Sequence, residues 1–322
     1  MSLLPKLSKY LLVSALISVV AALLISCGLS DAKDVDNQNP SHWPKKLRMA
    51  YYVDDEHPGM RSEATKHFAN YLTKRLNLPV EVFKTTEYGP MIEAMRGGKL
   101  DINHFGTFAY LLAHEKAGAE NIICRADPET GQPSQYHSII VVRTDSPLQS
   151  FEDLKANASD ITYAFVNPAS TSGHLIPRAY MEQNGLIPEE DFKELIYPRR
   201  QNATLRPILT GKVDAGSCSI NTYRKLVRLG RLSEKEVRIL WKSPPIPSGS
   251  ISVRSSLPED LKARIQQVLS EVHIKYPEDW EKMKKLHQYS SDPEYVYTKS
   301  DDSLFDEVRE LARSIKNLDM LN

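Results

Sequence analysis

Apolar positions along the chain switch between two periods. Leu47 to Val53 is a dense apolar run of strand length. Met60, Ala64, Phe68, Tyr71, Leu72 and Leu76 then fall on one face of a helix, which Asn77 and Pro79 stop. Val80-Glu81-Val82-Phe83 alternates with period two, as a half-buried strand does. Ile161 to Val166 is β-branched and aromatic, and Leu175, Ala179 and Tyr180 follow at helical spacing with Ile176 and Met181 beside them. Ser150-Phe151-Glu152-Asp153-Leu154 opens an N-capped helix. Ser256 and Glu259 have capping-box spacing ahead of Leu261, Ile265, Val268, Leu269 and Val272. Leu304, Val308, Leu311, Ala312 and Ile315 form a last amphipathic stripe. Strand and helix patterns alternate throughout, which predicts the α/β class, with sheets wrapped by helices.

A weak internal echo divides the chain. Met91 to Asn103 and Leu205 to Ser217 each read as a short apolar-faced helix, a stopping Gly, a Lys and a strand carrying one Asp. Each strand enters a turn, Asn103-His104-Phe105-Gly106 in one case and Gly216-Ser217-Cys218-Ser219 in the other. Ligands of open α/β sheets sit beyond the carboxyl ends of strands, so two opposed lobes would direct both turns into one cleft. Asp101 and Asp214 read as structural groups at strand ends. Two extended segments, Ser138–Arg143 and Ser243–Ser250, read as crossovers, and Pro244, Pro245 and Pro247 make the second a stiff loop and not a strand. These boundaries predict one lobe from 47–143 with 250–322 and a second from 144–249. Flexing is expected near Val141–Thr144 and Pro247–Ile251.

The N-terminus sets the compartment. Lys6 and Lys9 precede an apolar run from Tyr10 to Ile25 that is broken only by Ser14 and Ser18, a length that fits a signal peptide. The run ends in Leu24-Ile25-Ser26-Cys27, which resembles the bacterial lipobox, with Cys27 as the lipidated first residue of the mature protein. Residues 1–27 are therefore expected to be leader, and 28–46, polar and poor in large apolar groups, a flexible tether. Lys and Arg number 41 against 41 Asp and Glu, and loss of Lys6 and Lys9 leaves 39 against 41. A chain so nearly neutral, without a basic block, offers nothing to nucleic acid. Cys124 and Cys218 occupy no metal-binding spacing and read as buried free thiols.

The richest chemistry lies at Pro168-Ala169-Ser170-Thr171-Ser172-Gly173, between the strand and the helix. A helix start has free N–H groups and partial positive charge, and three consecutive hydroxyls add donors. Together they could present up to six donors to a tetrahedral oxyanion. A plain N-cap, the competing reading, needs only one of these hydroxyls.

Three segments carry a family resemblance: Gln135 to Arg143, Val166-Asn167-Pro168-Ala169-Ser170-Thr171-Ser172-Gly173, and Trp241-Lys242-Ser243-Pro244-Pro245-Ile246-Pro247. They resemble the phosphate/phosphonate/phosphite-binding proteins of ABC importers, from about Leu47 to Leu269. The resemblance implies a type-2 periplasmic binding protein, two α/β lobes joined by a two-segment hinge. It implies that Ser170, Thr171 and Ser172 hold the oxyanion, with Phe105 keeping the aromatic position before Gly106. Tyr88 and Tyr136 would join Phe105 in limiting the space for a substituent. Arg200 would stand where the aminoethylphosphonate binders have a His. Their two amine-reading carboxylates match Asn221 and Gly249, so an amine-free ligand is implied: phosphite, phosphate or an alkylphosphonate. The implied partners are an ABC permease in the inner membrane and, through lipid on Cys27, the membrane itself. The expected protein is a monomer facing the periplasm or exterior. Alternatives are a ligand-presenting sensor component, or a binder of a sulfonate or another organic anion. Ser170 or Ser172 with His174 does not make a catalytic set, because no orienting carboxylate is placed nearby. His57, His67, His104, His114 and His137 have no metal-ligand spacing. The reading is therefore a binder without cofactor or metal, and not an enzyme.

Overall fold

The computed structural model describes residues 39–52, 58–85, 87–284, 294–315 and 318. Cys27, with the leader around it, and the acidic run Asp54-Asp55-Glu56 lie outside the described residues. From Ser41 onward the chain forms one compact unit.

The strands are Leu47–Tyr52 (β1), Val80–Thr85 (β2), Ile102–Phe105 (β3), Ala119–Ala126 (β4), Gln135–Tyr136 (β5), Ser138–Arg143 (β6) and Thr162–Ala164 (β7). Glu194–Ile196 (β8), Ala215–Ser219 (β9), Val237–Lys242 (β10), Ile246–Pro247 (β11), Ser250–Arg254 (β12) and Val296–Lys299 (β13) complete the set. They form a six-stranded sheet ordered β13-β4-β12-β3-β1-β2 and a five-stranded sheet ordered β10-β6-β9-β7-β8. A two-stranded ribbon, β5 with β11, accompanies them. The internal echo appears as topology. In each sheet a first strand (β1, β7) lies parallel between its second (β2, β8) and third (β3, β9), and an antiparallel strand then flanks the third. That flanking strand is β12 in one sheet and β6 in the other, and each enters directly from the β5–β11 ribbon.

This arrangement corrects the lobe boundary. Ser138–Arg143 is a strand of the second sheet, paired with β9 and β10, and not the last part of the first lobe. Ile139 and Val141 pack into one apolar cluster and Ile140 and Val142 into another, all four fully buried. A strand that is apolar on both faces needs helices on both sides, which a position inside a sheet supplies. The crossing therefore falls earlier, at the ribbon, where Tyr136 pairs with Ile246 and Gln135 with Pro247. The proline-rich return, expected as loop alone, contributes these two paired residues.

Two further expectations change. The tether ends sooner than residue 46, because Trp43 Nε1 donates to Asp260 Oδ2 at 2.8 Å and Lys46 Nζ pairs with Glu81 at 2.9 Å. The Ser256–Glu259 capping box does not form: Pro258 precedes the Glu259–Ser270 helix, and the Ser256 hydroxyl accepts from Arg254 instead. Ser150 does cap Phe151–Ala156, with Asp153 completing the reciprocal pair. Asp101, fully buried, accepts from Arg48 Nε at 2.8 Å and Arg254 Nη2 at 2.7 Å, tying β1 and β12 to the start of β3. Asp214 accepts the Thr162 N–H at 2.8 Å. Both are structural carboxylates.

Candidate functional site

Asn167 shapes the loop after β7. Its side chain accepts the Ala169 N–H at 2.9 Å, and its carbonyl accepts the Ser170 N–H at 2.8 Å. Residues Thr171–Leu175 then form a π turn leading into the Ile176–Gln183 helix. Pro177 has no N–H, and the turn widens so that Leu175 donates to the Ser170 carbonyl at 3.0 Å. The Ser172 and Gly173 carbonyls are met instead by the hydroxyls of Ser138 at 2.6 Å and Ser217 at 3.1 Å. Gly173 is required sterically, since a Cβ there would lie 2.2 Å from Val166 Cγ2.

The three hydroxyls have different partners. Ser170 Oγ accepts the Gly173 N–H at 3.1 Å, which is the N-cap of the competing reading. Thr171 Oγ1 accepts the Phe108 N–H at 2.8 Å, from the first turn of the Thr107–Ala117 helix beneath the other sheet. Ser172 Oγ and Ser170 Oγ both receive Gln201 Nε2, at 3.4 and 3.1 Å. Gln201 Oε1 accepts the Ser219 N–H at 2.9 Å, which locks the amide with its donor end toward the hydroxyls. Tyr136 lies in the ribbon, opposite Ile246, and burial pushes its pKa up. Two helix starts from opposite lobes thus converge on one set of hydroxyls.

The other expected residues sit nearby in different roles. The Phe105 ring is fully buried in a cluster with Phe108, Tyr110 and Leu175, so it supports the turn from below and does not line open space. Tyr88 begins the Tyr88–Arg96 helix, half-buried against the same cluster. Arg200 precedes the Gln201–Leu209 helix, and the side chain that reaches Ser170 and Ser172 is its neighbour Gln201. One residue at a helix start rotates the side chain by about 100°, which sequence matching at a single position cannot resolve. Asn221 Oδ1 is buried without a hydrogen-bond partner among the described residues, while its N–H is held by Ser219 Oγ at 3.1 Å. At Gly249 a Cβ would lie 2.1 Å from the Phe105 carbonyl oxygen, so close backbone approach accounts for glycine there.

His174, adjacent to the cup, turns away from it: its Nδ1 bonds the Pro168 carbonyl at 2.9 Å, and burial pulls its pKa down to about 4. Beside the hydroxyls a cleft of about 700 Å³ opens between the lobes, lined by Glu87, Phe108, Asn167, Pro168, Arg178 and Arg199 among others. Arg199 spans it, pairing with Glu87 at 2.6 Å. Sequence reasoning missed Gln201 and Ser138, since an isolated amide and a strand hydroxyl carry no motif.

Two α/β sheets joined through a ribbon, with a donor-rich junction between them, define a type-2 periplasmic binding protein. Solved structures of that class share the architecture. A binding protein component of an ABC phosphonate transporter from Pseudomonas aeruginosa superposes with a TM-score of 0.70 at 23% identity, covering 84% of this chain and 85% of that one. PhnD1 of Prochlorococcus marinus, in complex with methylphosphonate, gives 0.69 at 18% identity, covering 84% and 98%. Residues 51–302 match the family described as ABC transporter, phosphonate, periplasmic substrate-binding protein, and the chain belongs to that family. The phosphonates-binding periplasmic protein of Escherichia coli is 29% identical over 247 residues, 77% of this chain and 72% of that one. The chain is thus a substrate-binding component of an ABC transporter, a binder and not an enzyme.

Proposed function

We propose that the protein captures a small phosphorus oxyanion, such as phosphite, phosphate or an alkylphosphonate, at Ser170, Thr171 and Ser172, and delivers it to an inner-membrane permease. The observation that carries this reading is the convergence of three hydroxyls, the Gln201 amide and the Phe108 N–H between the lobes. The relatives named for phosphonate and for phosphite bring phosphorus oxyanions to the front of the ligand class. Asn221 and Gly249 place no carboxylate at their positions, so nothing there would pair with a substrate ammonium, and an unpaired buried charge is heavily penalised. Tyr88 and Tyr136 bound the space for a substituent, and Arg200 is the neighbour that presents Gln201. The mature chain works as a monomer held to the membrane by lipid on Cys27, facing the periplasm or exterior.

Titration calorimetry with phosphite, phosphate, methylphosphonate, aminoethylphosphonate, sulfate and an aliphatic sulfonate tests the ligand. One of the amine-free phosphorus compounds should bind tightest, and aminoethylphosphonate at least about tenfold more weakly. Tightest binding of the sulfonate or of aminoethylphosphonate would refute the assignment. Cys27→Ala should release the protein from membranes or leave it unprocessed, and unchanged partitioning would refute the anchor.

A further inference from the structure

The strand that leads out of the six-stranded sheet ends on a cation that pairs with no carboxylate among the described residues. Arg125, near the end of β4, is 7% exposed. Its Nε and Nη1 are buried and have no hydrogen-bond partner among the described residues. Its guanidinium stands 5.4 Å from the centroid of the Tyr295 ring, and its strand neighbour is Tyr297. Cys124, Tyr136, Tyr295 and Tyr297 all feel its charge, yet burial raises the pKa of each, so these four offer it no negative charge near neutral pH. A ring face offsets only part of the cost of burying a charge.

The position of this cation matters. Cys124 pairs with Ser250, so one residue further along the two strands come Arg125 and Gly249, where the chain passes between sheet and ribbon. Ser134 N–H donates to the Arg125 carbonyl at 2.8 Å, and the Ser248 N–H donates to the Ser134 carbonyl at 2.8 Å. Ser248 Oγ is likewise buried without a partner. Two unpartnered side chains, both with N–H or O–H to give, therefore flank Ser134, two residues before Tyr136. Gly249, opposite Arg125, lies against the backbone of Phe105 and Gly106, and the helix that starts there gives its Phe108 N–H to Thr171 Oγ1 at 2.8 Å, so Arg125 stands at the same end of the sheet as the cup.

We propose that Arg125 supplies the countercharge of the ligand site, so that the protein selects a doubly charged tetrahedral oxyanion over a singly charged one of the same shape. This rests on the phosphorus-oxyanion reading above and narrows it to dianions. The hydroxyl cup is neutral and recognises shape, and the buried guanidinium adds preference for charge. Low dielectric around the hinge carries that preference to the cup without direct contact.

The test compares methylphosphonate with methanesulfonate, its singly charged isostere, by calorimetry at about pH 9, where the phosphonate has lost its second proton. Wild type should favour methylphosphonate strongly. Arg125→Met should weaken methylphosphonate about tenfold or more while methanesulfonate changes by less than about threefold, and Arg125→Lys should keep most of the preference. Equal weakening of both ligands, or no change in either, overturns the proposal. Should the methionine variant fail to fold, Arg125→Gln takes its place with the same expected and overturning outcomes, and the pH dependence of wild type is read beside it. Wild-type affinity for methylphosphonate rises with pH as the ligand loses its second proton if the dianion is selected, and a falling affinity overturns the idea. If wild type binds methylphosphonate without charge preference, only this inference fails. If it binds no phosphorus oxyanion, the functional reading falls first and takes the inference with it.

Discussion

Gln201→Glu separates ligand binding from folding at the cup more cleanly than any change to the hydroxyls. The amide donates to Ser170 Oγ and Ser172 Oγ and accepts the Ser219 N–H at 2.9 Å. A carboxylate of nearly the same shape keeps the bond from Ser219, so the backbone loses no partner and melting should shift little. The donors toward the cup are lost, and a negative charge takes their place. An anion held by those hydroxyls lies one hydrogen bond further on, at ~5 Å, where two unit charges at an effective dielectric of ~20 repel by ~3 kcal/mol. That repulsion is about a hundredfold in Kd. Calorimetry with methylphosphonate, beside a thermal melt without ligand, reads both quantities. Gln201→Leu is the companion, orphaning the Ser219 N–H at a cost of about 1–3 kcal/mol in stability. Unchanged affinity in the glutamate variant would refute the placement of the anion at Ser170 and Ser172.

Other consequences are equally direct. Thr171→Val should weaken ligand binding about tenfold or more and lower stability by ~1 kcal/mol through the lost acceptor of Phe108 N–H, whereas unchanged affinity with lowered melting would make Thr171 purely structural. His174, held neutral by burial with a pKa of about 4 against an ordinary 6.5, binds a proton more readily when the chain unfolds. Stability is therefore full above about pH 6.5 and falls as the pH drops toward 4, at up to ~1.4 kcal/mol per unit. Urea midpoints should show that slope, and His174→Gln should flatten it; an unaltered slope in the variant would assign it elsewhere. The Thr171–Phe108 bond and the Arg199–Glu87 pair join the lobes in the described arrangement. Small-angle scattering should give a smaller radius with ligand than without, as closure around ligand requires, and an identical radius would mean a preformed, rigid site.

Much of the candidate site is legible in the chain, because its chemistry is local. Asn167 to Gly173 makes its own turn and presents its own hydroxyls, so composition and the adjacent helix periodicity suffice to find it. The echo of helix, glycine and Asp-bearing strand also survives into the fold, as β3 and β9 occupy equivalent places in the two sheets. Asp101 and Asp214 read as structural because an acid at the start of a strand has backbone and arginine donors within reach. What the chain does not reveal is orientation over a single residue. Arg200 and Gln201 are adjacent in sequence, yet only the helix start decides that Gln201 faces Ser170.

The chain by itself therefore determined the α/β alternation, the two-lobe plan, the hydroxyl-rich helix start and the nearly neutral charge balance. Each follows from periodicity or from neighbours a few residues apart. Tertiary structure alone decided that Ser138–Arg143 belongs to the second sheet, because an apolar strand carries no record of which sheet completes its hydrogen bonds. It alone decided that Gly249 is glycine for the sake of the Phe105 carbonyl, a contact between strands far apart in sequence. It alone revealed Arg125 as a buried cation, since the burial of a charge is set by everything that packs around it and by nothing in the residues beside it.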